Sequence, residues 1–301
     1  MRALVLSGGG SKGAFQVGKI KKLTEEGHRW NLVTGVSVGA LNAAFLGKYN
    51  IDHQDTAAKE LERLWLERVS KNSSVYEGWL PGILTYIPAV YRGSVWSTRP
   101  LRALLQDSFA SGQLITTDTR VIIGVTSVTT GEYKTVNKFN ASFIDYVLAS
   151  ASFPIAFPAV EIDGELWTDG GVRTVVPILD AIKAGATDID VVMTSPVSPV
   201  IRRLAVASSR IDHSTTRPLK IIPMALRVTD ILLDEVFSAD LEKVQASYPN
   251  VTIRIHAPEF ASKKNSLDFD AGNIRTLLLE GYQQEIKVPE NEPKTRLGRL
   301  Y

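Results

Sequence analysis

Two stretches decide the fold: RALVLSGGGSKG at Arg2–Gly13 and LVTGVSVGALNAA at Leu32–Ala44. In each, a short apolar run of strand length meets a glycine turn, and helix-patterned residues follow. After SGGGSKG the apolar positions Phe15, Val17, Ile20 and Leu23 predict a helix over Ala14–Glu26, with Gly27 as its stop. After GVSVG a helix is expected over Ala40–Leu46. Two successive strand–glycine–helix units predict α/β architecture with a largely parallel central sheet.

The rest of the chain keeps this alternation. Asp55–Arg68 and Arg99–Phe109 read as helices, and Arg120–Val128 with Glu132–Asn137 as a strand pair around Thr130–Gly131. Ala141–Ser150 reads as a helix running into SASFPIAFP. Val160–Ile162 and Glu165–Trp167 flank Asp163–Gly164, a strong hairpin signal that leaves Asp169 just past the second strand. Strands are expected at Ile189–Thr194 and Val251–His256, and helices at Leu219–Ser247 and Ala271–Gln284. With no internal repeat or linker, a single domain is expected over 1–287. It has a motif-bearing core at about 3–200 and a helix–strand–helix at 217–286, and a loose polar tail at 288–301 follows.

Composition narrows the function classes. The 301 residues are 44% hydrophobic and 22% charged, as in an ordinary globular protein. A net charge of +2 gives no electrostatic footprint for nucleic acid. There are no cysteines, which excludes disulfides, thiol nucleophiles and zinc–thiolate sites and suits a reducing cytoplasm. The apolar stretch Ala3–Leu6 is too short for a signal peptide, and no run reaches the roughly 18 apolar residues of a membrane-spanning helix. A cytoplasmic protein, at most peripheral at membranes, is therefore expected, with signal-less export left open.

Three motifs carry chemistry. In GVSVG, small neighbours at Gly35 and Gly39 permit a tight strand-to-helix turn that thrusts the Ser37 hydroxyl outward, over the positive end of the next helix. An ordinary packing turn has the same spacing. SGGGSKG exposes consecutive N–H groups at Gly8, Gly9 and Gly10, a nest for an oxyanion or a phosphate, with Lys12 adding positive potential. Gly8, Gly10 and Gly13 also match a dinucleotide fingerprint. The acidic residue expected at the end of the next strand is missing there, because that strand runs into Ser37. The nucleotide pattern GxxxxGK[ST] does not occur. In TDGG, Asp169 precedes Gly170 and Gly171, which allow close backbone approach, although Asp-Gly is by itself a common turn. A serine nucleophile needs a base. Of the four histidines, His28, His53 and His213 lie in bland settings, and His256, at a strand end, is the one reasonable triad candidate.

The chain resembles the patatin-like phospholipases. The resemblance rests on GGGSKG, GVSVGALNAA, SASFPIAFPAVEIDGELWTDGGV and the late LDFDAGNIRTLLLEGY, in matching order and spacing from about Leu6 to Tyr282. It implies a three-layer α/β/α fold and a Ser–Asp dyad in place of a triad. Ser37 is then the nucleophile, Asp169 the general base, and the N–H groups of Gly8, Gly9 and Gly10 the oxyanion hole. Gly35, Gly39, Gly170, Gly171 and Lys12 are the supporting residues. Lys12 stands where the family more often has arginine, which gives up a bidentate phosphate contact. Val175 stands where the family often carries asparagine.

The implied activity is hydrolysis of acyl esters in phospholipids or lysophospholipids, with no cofactor or metal and independent of calcium. An ordinary aspartate is a weak base for serine, so the site is expected to be desolvated, with the Asp169 pKa raised. A lipid substrate needs an apolar groove or lid. The aromatic stretch at 74–96 supplies Trp79, Leu80, Ile83, Tyr86 and Trp96, which could equally pack a core flap. A serine esterase or thioesterase for shorter acyl chains stays open as an alternative. So do a non-catalytic phosphate- or nucleotide-binding module and a silent lipid-binding scaffold. An α/β-hydrolase with a histidine triad is disfavoured, because its serine follows several strands and a separate HGGG-type loop.

Overall fold

The computed structural model describes residues 1–78, 93–110, 112–196, 250–259 and 266–284, with positions 244, 247 and 248. Strands β1 (Arg2–Leu6), β2 (Leu32–Val36), β5 (Arg120–Ser127), β9 (Asp188–Val192) and β10 (Thr252–His256) form the parallel part of one sheet, in the order β10-β9-β1-β2-β5. The antiparallel part is built on β5 by β6 (Tyr133–Asn137) and β8 (Glu165–Asp169), and β8 pairs in turn with β7 (Val160–Ile162). The β7–β8 turn is made by Asp163 and Gly164, both at positive φ, as a tight hairpin requires. A separate two-stranded sheet pairs β3 (Glu77–Gly78) with β4 (Trp96–Ser97).

Both faces of the parallel sheet are covered, which is why its strands read as nearly unbroken apolar runs. Leu4, Leu6 and Val33 face α1 (Gly13–Glu25), α2 (Val38–Leu46), α3 (Gln54–Arg68), α4 (Arg99–Phe109), α5 (Phe143–Ser150) and α7 (Ala271–Gln283). Ala3, Val5, Ile189 and Val191 face α6 (Ile178–Lys183) and Val244. The result is a mostly parallel three-layer α/β/α sheet. The late helix α7 belongs to the first layer. Glycines let its backbone approach α1 closely: a Cβ on Gly18 would strike the Leu278 carbonyl, and one on Gly281 would strike that of Phe15. Observed ends differ from the sequence expectation by one or two residues. The difference that matters is β8, which runs on to include Asp169.

The expected helix Leu219–Ser247, apart from positions 244, 247 and 248, and the tail 288–301 lie outside the described residues. No helix among the described residues is long and apolar enough to cross a membrane.

Candidate active site

The register of β5 builds the site. On one edge, β5 pairs with β2 as far as Val36 opposite Gly124. On its other edge it pairs with β6 over Ile122–Thr126. From Val125 onward the edge that β2 has left is taken by β8, which runs the opposite way and ends with Asp169 opposite Val125. β2 and β8 therefore meet head to head on one edge of β5. The residue after β2 is Ser37, and the last residue of β8 is Asp169.

The turn at Ser37 is strained. Its φ is 57° and ψ −128°, an unfavourable region for a residue with a side chain, and α2 begins at the next residue. The turn is held by Ser150, at the end of α5. Its hydroxyl accepts the Ser37 N–H at 2.9 Å and donates to the Gly124 carbonyl at 2.7 Å. Ser150 thus closes the β2–β5 ladder where the backbone turns away. The turn is tight: a Cβ on Gly39 would lie 2.3 Å from the Leu6 carbonyl oxygen, and one on Gly35 would strike Gly39. Ser37 itself is half-buried.

Asp169 is 1% exposed. Its N–H and the Thr168 hydroxyl both donate to the Ser152 carbonyl, at 3.1 and 2.6 Å. Its Oδ1 accepts the Gly171 N–H at 2.7 Å. Its Oδ2 is buried with no partner in hydrogen-bond geometry among the described residues. The Ser37 hydroxyl is nevertheless close enough to act on the carboxyl group. Burial pushes the Asp169 pKa up, hydrogen bonding from Ser37 and then from Gly171 pulls it partly back, and it comes to rest at about 7. Gly170 lies against β5, where a Cβ would strike the Gly124 carbonyl.

The glycine loop leaves β1 beside Ser37: a Cβ on Gly8 would lie 3.2 Å from the Ser37 Cβ. Of the three expected oxyanion donors, Gly8 differs from expectation. Its N–H donates to the Val175 carbonyl at 3.1 Å, because the chain after TDGG folds back beside β1. Gly9 and Gly10, at φ 146° and 58°, turn the loop, and their N–H groups have no hydrogen-bond partner among the described residues. Thr194 donates its hydroxyl to the Gly8 carbonyl, and its N–H donates to the Ser7 hydroxyl at 3.1 Å. Ser11 donates its N–H to the Ser266 carbonyl at 2.7 Å. Lys12 is half-buried and ends the one-turn helix Gly10–Lys12.

Beneath the loop runs a fully buried amide chain. The Trp65 indole N–H donates to Asn42, Asn42 to Gln16, and Gln16 to the carbonyls of Ser7 and Val192, all at 2.9–3.1 Å. Satisfied networks of this kind rigidify what they touch.

His256 lies elsewhere. It pairs with Val192, which pairs with Leu6, which pairs with Gly35, so it stands three strands, roughly 14 Å, from the Ser37 strand. Its Nε2 is 3.4 Å from Asp190. Trp79, Leu80, Ile83 and Tyr86 lie outside the described residues. Trp96 is half-buried and packs with Tyr76 and Phe157, at ring centroids of 5.1 and 6.4 Å. No group of three or more His, Cys, Asp or Glu side chains converges as a metal site among the described residues. Sequence reasoning missed Ser150, Ser152, Thr194 and Ser266. The first two sit in SASFP, beside a motif already singled out; the other two carry no local signal.

The patatin-like phospholipase family model matches residues 4–182, a span that holds the glycine loop, Ser37 and Asp169. Patatin-like phospholipase domain-containing protein 6 is 30% identical over 187 residues in both Mus musculus and Homo sapiens, covering 61% of this chain. Neuropathy target esterase sws of Drosophila sechellia is 27% identical over 176 residues, 58% of this chain. The chain spans only 11–13% of the length of these relatives. A crystal structure of VipD from Legionella pneumophila covers 93% of this chain and 67% of its own, at TM-score 0.38 and 14% identity, too distant to carry an argument. With more than half of its length matched by the family model, the chain belongs to the patatin-like phospholipase family.

Proposed function

We propose that this protein hydrolyses acyl esters of phospholipids or lysophospholipids through an acyl-enzyme on Ser37. The observation that carries the reading is the head-to-head meeting of β2 and β8 on one edge of β5. It sets a serine on a strained turn against a buried aspartate whose pKa is about 7. The names of the relatives, a phospholipase-domain protein and an esterase, support an ester of lipid as substrate.

In this reading, Asp169 accepts the Ser37 proton as Oγ attacks the ester carbonyl. A base near neutrality suits that transfer far better than an ordinary carboxylate. The oxyanion forms over the N–H groups of Gly9 and Gly10 and the start of α2, each such donor contributing about 3–4 kcal/mol in comparable sites. Gly8 supports the loop through Val175. Asp169 then protonates the departing alcohol or lysolipid, and water repeats the cycle. Every proton has an owner without a metal, so activity independent of calcium is expected.

The phosphate-gripping alternative would draw on the same Gly9 and Gly10 N–H groups, so ester turnover is what separates the two. The test is release of fatty acid from phospholipid and lysophospholipid vesicles in the presence of a chelator, beside short-chain esters, with Ser37→Ala as control. Turnover of long-chain lipid that Ser37→Ala abolishes supports the reading. Turnover confined to short esters would replace it with a general esterase, and no turnover of any ester would remove it.

A further inference from the structure

A late stretch of chain reaches the glycine loop. The Ser266 carbonyl receives the Ser11 N–H at 2.7 Å, and a Cβ on Gly10 would lie 2.0 Å from that same oxygen, so loop and stretch are in direct contact. Two groups from the segment before β3 hold this stretch in turn. The Tyr76 hydroxyl donates to the Leu267 carbonyl at 2.8 Å, and Asn72 Oδ1 accepts the Phe269 N–H at 2.7 Å. The Tyr76 ring lies at the centre of an aromatic cluster, with centroids 5.1 Å from Trp96, 5.7 Å from Phe157 and 6.3 Å from Phe269. Phe157 ends the turn that begins at Phe153, directly after Ser152, whose carbonyl fixes Asp169. One half-buried tyrosine is thus coupled to the anchors of both the glycine loop and the aspartate.

We propose that Tyr76 is a positioning residue for the oxyanion donors: by fixing Leu267 it holds the Ser266 carbonyl against Ser11 and so sets the Gly9–Gly10 turn. The proposal rests on the hydrolase reading for its catalytic half and on the structure alone for its loop-holding half. Burial, and then the nearby Asp268 carboxylate, push the phenol up to about 12, so the hydroxyl keeps its proton to donate at any working pH.

Tyr76→Phe keeps the ring and removes only the donor. Hydrogen exchange read on peptides covering residues 7–13 is expected to quicken about tenfold at the Ser11 amide, with the melting temperature little moved. The value of kcat is expected to fall about tenfold with KM within twofold. Affinity for a long-chain trifluoromethyl ketone, which adds Ser37 and presents an oxyanion, should fall by the same factor. The pH midpoint of activity should stay in place, since Asp169 is untouched. Asn72→Ala should move the same readouts in the same direction.

Unchanged exchange in Tyr76→Phe overturns the proposal whatever the protein turns over. Faster exchange with kcat and ketone affinity intact also overturns it, leaving a purely structural tyrosine. A wild-type protein inert to esters and to the ketone would instead remove the hydrolase reading, and with it the catalytic half of the proposal.

Discussion

At the scale of single residues, the candidate site holds two groups where they are uncomfortable. Ser37 sits at positive φ, and Asp169 is buried with no counter-charge beside it among the described residues. Two pH effects follow from an Asp169 pKa raised to about 7. For activity, kcat/KM should rise about tenfold per pH unit below that value and level off above it, since the base must be ionised. For stability the sign is the reverse. The folded state holds a proton that the unfolded state releases near pH 4, so this contribution is full below about pH 4 and is lost as pH rises to about 7. Melting of Asp169→Asn against wild type should therefore show an advantage for the variant that grows from about pH 4 to about pH 7 and levels off above; an advantage that does not change with pH would mean that the buried carboxyl does not titrate there. Ser150 is the third residue of this scale. Ser150→Ala leaves the Ser37 N–H and the Gly124 carbonyl without their bridge, and a cost of about 1–3 kcal/mol in urea unfolding is expected, with a clear fall in kcat.

At the scale of elements, the C-terminal strand is bound to the sheet by charge as well as by backbone. Asp190 on β9 is fully buried and meets Arg254 at 2.7 Å, the Trp30 indole N–H at 2.8 Å, Arg2 at 2.9 Å and His256 at 3.4 Å. Burial alone would raise its pKa. Hydrogen bonds from His256, Arg254 and Trp30 more than reverse this, and the carboxyl is held well below the usual range. The stability it contributes is present above about pH 4 and is lost only as strong acid protonates it. Asp190→Asn should cost about 1–3 kcal/mol at neutral pH, because it removes the buried charge that Arg2, Arg254 and the Trp30 indole N–H share; a denaturation midpoint equal to that of wild type would show the cluster to be incidental. The histidine that looked most like a triad member is thus employed in fastening β10. Most of these elements were legible in the sequence, because apolar runs and glycine stops are local signals: β1, β2, α1, the Asp163–Gly164 hairpin and α7 all lie within a residue or two of expectation. Pairing was not legible. Nothing local says that β5 outlasts β2, or that β8 enters on the vacated edge.

At the scale of the whole molecule, one sheet carries the candidate site because its register brings distant ends together. The candidate dyad residues were legible as motifs, since a serine and an aspartate beside glycines are conspicuous even when far apart in sequence. Their anchors were not. Ser150, Ser152, Thr194 and Ser266 act through ordinary hydroxyls and carbonyls whose role exists only once the chain is folded. The same limit explains Gly8, which reads as a free donor in sequence and in the fold serves the Val175 carbonyl. The central claim is that Ser37 is a nucleophile activated by Asp169. It is tested most directly by reacting the purified protein with a fluorophosphonate, without calcium, and mapping the adduct by mass spectrometry in wild type, Ser37→Ala and Asp169→Asn. The account predicts a single adduct on Ser37 in wild type, none in Ser37→Ala, and little or none in a folded Asp169→Asn. An adduct on another residue, or undiminished labelling of Ser37 in Asp169→Asn, would contradict it.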